Sequence, residues 1–269
     1  MSDKRPIGIF DSGVGGLTVA NAIRHALPNE NLIYYGDTSH LPYGDKSPET
    51  ISHYSKGITR FLLEQDCKVI VIACNTASAN AYKVVCQTAG ENIPVLNVID
   101  PIIREVTQNS GYKHIGVIGT KSTINSRTYE KKISDLSKTV LVSSMATPLF
   151  VPMIEEGFIF DDISNAIIRN YLSRHEIAGI DSLILGCTHY PIIRNQINKF
   201  YNFGIDIIDS SRIVAQSLHQ LLRENNLLNL ETIPAQRKFY VSDVTKSFRI
   251  ISKMFFEEDV DLELNNIWD

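Results

Sequence analysis

Two cysteines stand where a run of apolar, largely β-branched residues gives way to polar ones. The first run is Val69-Ile70-Val71-Ile72-Ala73-Cys74-Asn75-Thr76 and the second is Leu183-Ile184-Leu185-Gly186-Cys187-Thr188-His189. Each reads as a buried strand passing into a helix, and in an open α/β sheet such strand ends border the crevice where ligands bind. The free N–H groups and partial positive charge of a following helix favour thiolate over thiol and attract carboxylates. A thiolate on one face of a carbon acid and a thiol on the other can invert that carbon, one removing a proton and the other delivering one. Asn75 and Thr76 in one half, and Thr188 and His189 in the other, would help to recognise an anionic substrate.

The elements that must position these thiols follow a repeating order. Ile7-Gly8-Ile9-Phe10 is a short strand ending in Asp11-Ser12-Gly13-Val14-Gly15-Gly16, and a helical pattern runs from Leu17 to Leu27. Asn31 to Gly36 reads as the next strand. Ser47-Pro48-Glu49 then starts a helix with a capping hydroxyl, a proline in the first turn and an acid at the positive end of the dipole. The first cysteine strand is followed by a helix through Val84-Val85 that stops near Gly90, a strand over Pro94 to Val98, and a helix restarted at Asp100-Pro101.

A second series begins at His114-Ile115-Gly116-Val117-Ile118-Gly119-Thr120, echoing the first strand. The regularity indicates a duplicated α/β unit with mostly parallel sheets, pseudo-symmetric, its active site in the cleft between two similar domains. Ile205 to Ile208 and Phe239 to Val241 read as strands with a helix from Ser210 to Asn225 between them. The expected division is 1–98 plus 210–269 for a discontinuous first domain and 99–209 for the second, joined by a short hinge around Val98 to Pro101.

Composition narrows the function classes. The chain has 269 residues, 43% of them hydrophobic and 21% charged, which allows a sizeable core. A net charge of −4 without a basic run leaves no footprint for nucleic acid. No apolar run is long enough for a membrane span, and the stretch after Lys4 and Arg5 is too short for a signal peptide. The expected location is cytoplasmic. Cys67, Cys74, Cys86 and Cys187 lack CxxC spacing, which argues against a disulfide framework or a zinc site and for reduced thiols. Cys67 and Cys86 read as small apolar residues, and the histidines at 25, 40, 53, 114, 175 and 219 have no ligand spacing. The Gly13-Val14-Gly15-Gly16 run lacks both GxGxxG spacing and a P-loop lysine, so it reads as a tight turn that brings backbone close to a ligand.

Five motifs stand in an order that resembles the cofactor-independent amino-acid racemases, the glutamate racemases in particular. They are Asp11-Ser12-Gly13-Val14-Gly15-Gly16-Leu17-Thr18, Pro42-Tyr43-Gly44, Ala73-Cys74-Asn75-Thr76-Ala77, Pro148-Leu149-Phe150-Val151-Pro152 ahead of Glu155, and Gly186-Cys187-Thr188-His189-Tyr190-Pro191. The resemblance implies an isomerase that exchanges L- and D-glutamate without cofactor or metal, supplying D-glutamate for peptidoglycan and hence for cell-wall biogenesis and cell shape. It also implies that Cys74 removes the α-proton of D-glutamate, assisted by Asp11, and Cys187 that of L-glutamate, assisted by His189 and Glu155. Asp11, Ser12, Tyr43, Gly44, Asn75, Thr76, Thr188 and His189 would contact the substrate, with Thr120 and Thr123 matching more loosely. Tyr43, between proline and glycine, reads as a loop residue closing over the site.

The partner is then a small molecule, with a homodimer among the expectations. Many relatives place a cysteine, not a catalytic base, where this chain has Thr147. Relatives activated by a cell-wall precursor carry an N-terminal extension, whereas six residues precede Ile7 here, so precursor activation is not expected.

Each reading has a competitor. Asp11 can cap the helix that follows it, His189 can bond its own backbone at a helix start, and Glu155 beside Glu156 can be a solvated acid. An aspartate racemase or another amino-acid racemase would keep the chemistry and change the pocket. A two-lobed amino-acid binding protein has no need for paired thiols. A thiol redox role requires the two sulfurs to touch, or a resolving cysteine beside one of them.

Overall fold

The computed structural model describes residues 2–108, 111–231 and 234–268. In chain order the first part comprises β1 (Ile7–Asp11), α1 (Leu17–Ala26), β2 (Leu32–Gly36), α2 (Pro48–Glu64), β3 (Val69–Ile72), α3 (Asn75–Asn80), α4 (Tyr82–Ala89), β4 (Val95–Asn97) and α5 (Ile99–Gln108). A second series follows: β5 (His114–Gly119), α6 (Lys121–Asn125), α7 (Thr128–Leu136), β6 (Leu141–Ala146), α8 (Phe150–Glu155), α9 (Asp162–Leu172), β7 (Ser182–Gly186), α10 (Arg194–Phe200) and β8 (Asp206–Ile208). The chain continues through α11 (Ser210–Glu224), β9 (Arg237–Val241), α12 (Lys246–Phe256) and β10 (Leu262–Leu264).

The strands form two parallel sheets with orders β10-β9-β2-β1-β3-β4 and β6-β5-β7-β8. The strands at the middle of both sheets are apolar along their length because helices cover both faces, and β1, β3 and β7 are buried throughout. In each sheet the strand order reverses at one place, between β1 and β3 and again between β5 and β7. Loops diverge there and leave a crevice. Asp11 and Cys74 follow the first reversal; Thr120 and Cys187 follow the second. The duplicated architecture thus delivers one cysteine from each sheet by the same geometric device.

The strands β9 and β10 return to the first sheet, where β9 pairs with β2. α2 starts as the sequence indicates, with Pro48 in its first turn and the Ser47 hydroxyl accepting from Thr50 N. Two connections differ from expectation. The helix after Cys74 is broken at Ala81, where the Asn80 side chain bonds back to the Thr76 carbonyl and across to Ser122. In the stretch from Val98 to Pro101 the expected loop is absent, since residues 99–101 already form the first, largely buried turn of α5. Its cap is Asn97, whose side-chain oxygen accepts from the N–H groups of Ile99 and Asp100, so the helix starts before the Asp-Pro pair. α5 packs against α11 on one side and α7 on the other, linking the two series.

Candidate active site

Cys74 caps the short helix α3. Its Sγ accepts from Ala77 N at 3.4 Å and lies 3.7 Å from Ser12 Oγ. The six-residue helix does not win the electrostatic contest here: burial pushes the thiol up to about 12, and the Asp11 charge adds to that. The resting form is therefore the thiol, contrary to the expectation from the helix end alone.

Asp11 divides its two oxygens. Oδ2 accepts from Gly13 N at 3.0 Å and Gly16 N at 3.1 Å, which is the capping role, while Oδ1 is buried with no hydrogen-bond partner. Burial raises the Asp11 carboxyl above its ordinary range, opposed by the charge of His189 and by the backbone N–H groups. A carboxyl with one oxygen anchored and the other unpaired is suited to accept or lend a proton.

Around Cys187 the arrangement is different. The expected helix start is missing: the next turns are a 3-10 helix over Tyr190–Ile193, with Pro191 in it, and α10 begins only at Arg194. What faces the thiol is His189, whose Nδ1 is 3.8 Å from Sγ and whose Nε2 is 2.9 Å from Glu155 Oε1. Glu155 accepts from Nε2–H, so the neutral ring turns the Nδ1 lone pair toward sulfur and the protonated ring turns an N–H toward it. Burial opposes charge on the imidazole, but hydrogen bonds to Cys187 and Glu155 outweigh it and hold His189 above its ordinary value. Glu155 ends α8, and Phe255 of α12 stands edge-on to the His189 ring, at 5.2 Å between centroids. Within the Gly13-Val14-Gly15-Gly16 turn, Gly15 lets the backbone pass close to the imidazole: a Cβ there would lie 2.4 Å from His189 Nδ1.

Both thiols are free and line one small cavity between the sheets. Its water-accessible space is about 60 Å³, several times the roughly 10–15 Å³ that one water needs. That suits a small metabolite. Ser12, Tyr43, Gly44, Asn75, Thr76, Thr120, Thr188 and His189 also line it. Asp11 and Glu155 stand behind the lining, as groups acting through others would. Thr123 is buried one layer back, with its hydroxyl 3.2 Å from Thr76 Oγ1 and 3.0 Å from Thr120 Oγ1. Thr147 hydrogen-bonds the Tyr190 hydroxyl at 2.7 Å in the cavity wall.

Asn75 accepts from the Tyr129 hydroxyl at 2.7 Å, and its buried Nδ2 has no partner. An unpaired donor in a cavity wall calls for an acceptor from a ligand, and a carboxylate supplies one. Tyr129 escapes sequence reasoning because it comes near the site only through packing, whereas Lys121 and Asp45 adjoin the candidates Thr120 and Gly44 and carry no motif signal of their own. Lys121 and Asp45 pair across the cavity mouth at 3.2 Å. Tyr43 is buried in the wall rather than lying over it, with its hydroxyl spent on Asp37 at 2.7 Å.

Among the described residues there is no group of His, Cys, Asp or Glu arranged to hold a metal ion, and no helix long and apolar enough to cross a membrane. The arrangement offers two thiols, each with its own proton partner, around a space for one small anion.

Comparison with known proteins gives three findings. The family model of the Asp/Glu/Hydantoin racemases matches residues 16–218. A glutamate racemase of Chlorobium phaeobacteroides is 45% identical over 260 residues, 96% of this chain and 95% of that protein. Among solved structures, a glutamate racemase from Francisella tularensis in complex with D-glutamate superimposes with a TM-score of 0.93 at 40% identity, covering 99% of each chain. An aspartate racemase of Picrophilus torridus shares only the fold, at 20% identity and a TM-score of 0.60, over 84% of this chain and all of that one.

Proposed function

The chain belongs to the Asp/Glu/Hydantoin racemase family, and from this we propose that it interconverts L- and D-glutamate by proton exchange at the α-carbon between Cys74 and Cys187. The observation that carries the reading is the pair of free thiols on equivalent strand ends, facing one cavity, each with a separate proton partner.

In the D-to-L direction Cys74 takes the α-proton and Cys187 delivers another to the opposite face; the reverse direction exchanges the roles. Burial favours the protonated thiol at Cys74, so charge brought by the substrate would help to release that proton. The α-ammonium adds a positive charge beside the sulfur, and Asp11 Oδ1 is the unpaired acceptor nearby. On the other side His189 exchanges the proton of Cys187, held in its tautomer by Glu155. Asn75 Nδ2 and the hydroxyls of Ser12, Thr76 and Thr188 serve the carboxylates, Gly44 contributes backbone, and Tyr43 forms wall. We take the two units to be 1–98 with 210–269 and 99–209, a division that the strand membership of the two sheets supports, with the α-carbon between them.

The product role is supply of D-glutamate for peptidoglycan, in the cytoplasm, where thiols stay reduced. Cofactor-stripped protein added to L-glutamate should abolish the circular dichroism of the solution with time. A requirement for pyridoxal phosphate, or loss of turnover on chelation, contradicts the reading. Faster turnover of the aspartate enantiomers than of glutamate would shift the substrate to the shorter acid. Light scattering that returns the mass of a single chain would remove the homodimer from this account.

A further inference from the structure

Trp268 is the chain's one tryptophan and the last residue described, far along the sequence from either cysteine. Its indole Nε1 donates to Asp37 Oδ1 at 2.9 Å. Asp37 is fully buried, and the same oxygen is bonded by Ser242 Oγ at 2.9 Å and His40 Nδ1 at 2.8 Å. Its other oxygen accepts from the Tyr43 hydroxyl, and Tyr43 lines the cavity. One carboxylate thus joins the end of the chain to the wall of the site.

The segment that carries Tyr43 needs such an anchor. Between β2 and α2 the backbone makes only two 3-10 turns, Thr38–His40 and Tyr43–Asp45; Thr38 and Ser39 bond to Asp243 and Ser242 at one end and Asp45 pairs with Lys121 at the other, which leaves Asp37 to hold the Tyr43 side chain between them. Yet this segment contributes Leu41, Pro42, Tyr43, Gly44 and Asp45 to the cavity. Gly57 supports the same conclusion from α2. A glycine inside a helix destabilises it relative to alanine, but a Cβ at Gly57 would lie 2.5 Å from Trp268 Cζ3, so the helix gives up that stability to seat the indole. The Tyr54 ring meets the indole edge-on, at 5.2 Å between centroids.

We infer that Trp268 and Asp37 are positioning residues that latch the 38–46 segment, so that the far end of the chain sets the shape of the substrate cavity through Tyr43. The inference rests on this cavity being where glutamate is racemised. It concerns substrate affinity rather than proton transfer, since neither residue faces the thiols.

Four variants test it: Trp268→Phe, Gly57→Ala, Tyr43→Phe, and the double variant Trp268→Phe with Tyr43→Phe. Trp268→Phe and Gly57→Ala should each raise KM for glutamate about three- to tenfold with kcat little changed, the loss of one positioning hydrogen bond. Gly57→Ala should do so without lowering the melting temperature, because alanine favours the helix while displacing the indole. The double variant should be no worse than Tyr43→Phe alone, since the latch acts through that hydroxyl. Unchanged KM in both Trp268→Phe and Gly57→Ala, or independent multiplying effects in the double variant, overturns the inference. A second measurement needs no turnover and so separates this inference from the racemase reading. Alkylation of Cys74 by iodoacetamide, followed by peptide mass spectrometry, should quicken about three- to tenfold in Trp268→Phe and Gly57→Ala as the wall loosens. Labelling at the wild-type rate in both overturns the latch even if the wild-type protein does not racemise glutamate.

Discussion

The two halves deliver their cysteines alike and equip them differently. Cys187 faces an imidazole that is oriented by a carboxylate. Cys74 has no histidine; it has Ser12, a backbone N–H and a buried aspartate with one unpaired oxygen. The duplicated sheets therefore explain where the thiols stand, whereas the polar groups around each thiol differ. A pseudo-symmetric scaffold does not require symmetric chemistry. Under the proposed reaction both directions must be equally competent, and the two unlike surroundings would reach that by different routes.

The sharpest way to break this comparison is to remove one thiol at a time. Cys74→Ser and Cys187→Ser should each lower racemisation by about 10³-fold or more, because a hydroxyl is a much weaker acid and base at one face. Circular dichroism of either enantiomer measures this, and full activity in either single variant would rule out paired bases. Cys67→Ser and Cys86→Ser should retain wild-type kcat/KM, as neither lines the cavity.

Weakening the relays should cost less, about 10- to 100-fold, and tell the halves apart. Because the equilibrium constant is one by symmetry, kcat/KM must fall equally in both directions, so rates alone cannot assign a residue to a side. Isotope effects can. Asp11→Asn should raise the primary effect with α-deuterated D-glutamate more than with the L-enantiomer, and His189→Asn should do the reverse. Wild-type rates in Asp11→Asn would leave that residue only its capping bonds to Gly13 and Gly16.

A smaller effect appears in stability. Burial raises Cys74 from an ordinary value near 9 to about 12, and Cys67 likewise. The unfolded chain releases these protons first, so their contribution is intact below pH 9 and is lost as pH rises toward 12. Melting temperature against pH should fall less steeply on the alkaline side in Cys74→Ser than in the wild type. An unchanged slope would mean that the thiol is better solvated than its burial indicates.

Much of this was legible in the chain. Apolar runs ending in cysteine, the Ser47-Pro48 helix start and the echo of the first strand at His114 are local signals, and local physics placed them. The motif residues from Ser12 to His189 meet around one cavity because strand ends at a sheet reversal converge. What stayed illegible depends on contacts distant in sequence. Nothing near Asn75 announces that Tyr129 will hold its oxygen, and nothing near Asp37 announces Trp268. β10 is three residues long with Glu263 at its centre, too brief and polar to read as a strand. The helix expected after Cys187 failed because Pro191 and the 3-10 turn intervene, and the thiolate expected at Cys74 failed because burial outweighs a short helix end.

The central claim is that two thiols act on opposite faces of one carbon. It is tested most directly by running the reaction in deuterium oxide from each enantiomer and analysing both pools at low conversion. The account predicts that the product carries deuterium at the α-carbon while the recovered substrate stays largely protiated, from either starting side. Equal deuterium in substrate and product, or product that keeps the substrate's own proton, would mean that a single base serves both faces and would contradict it.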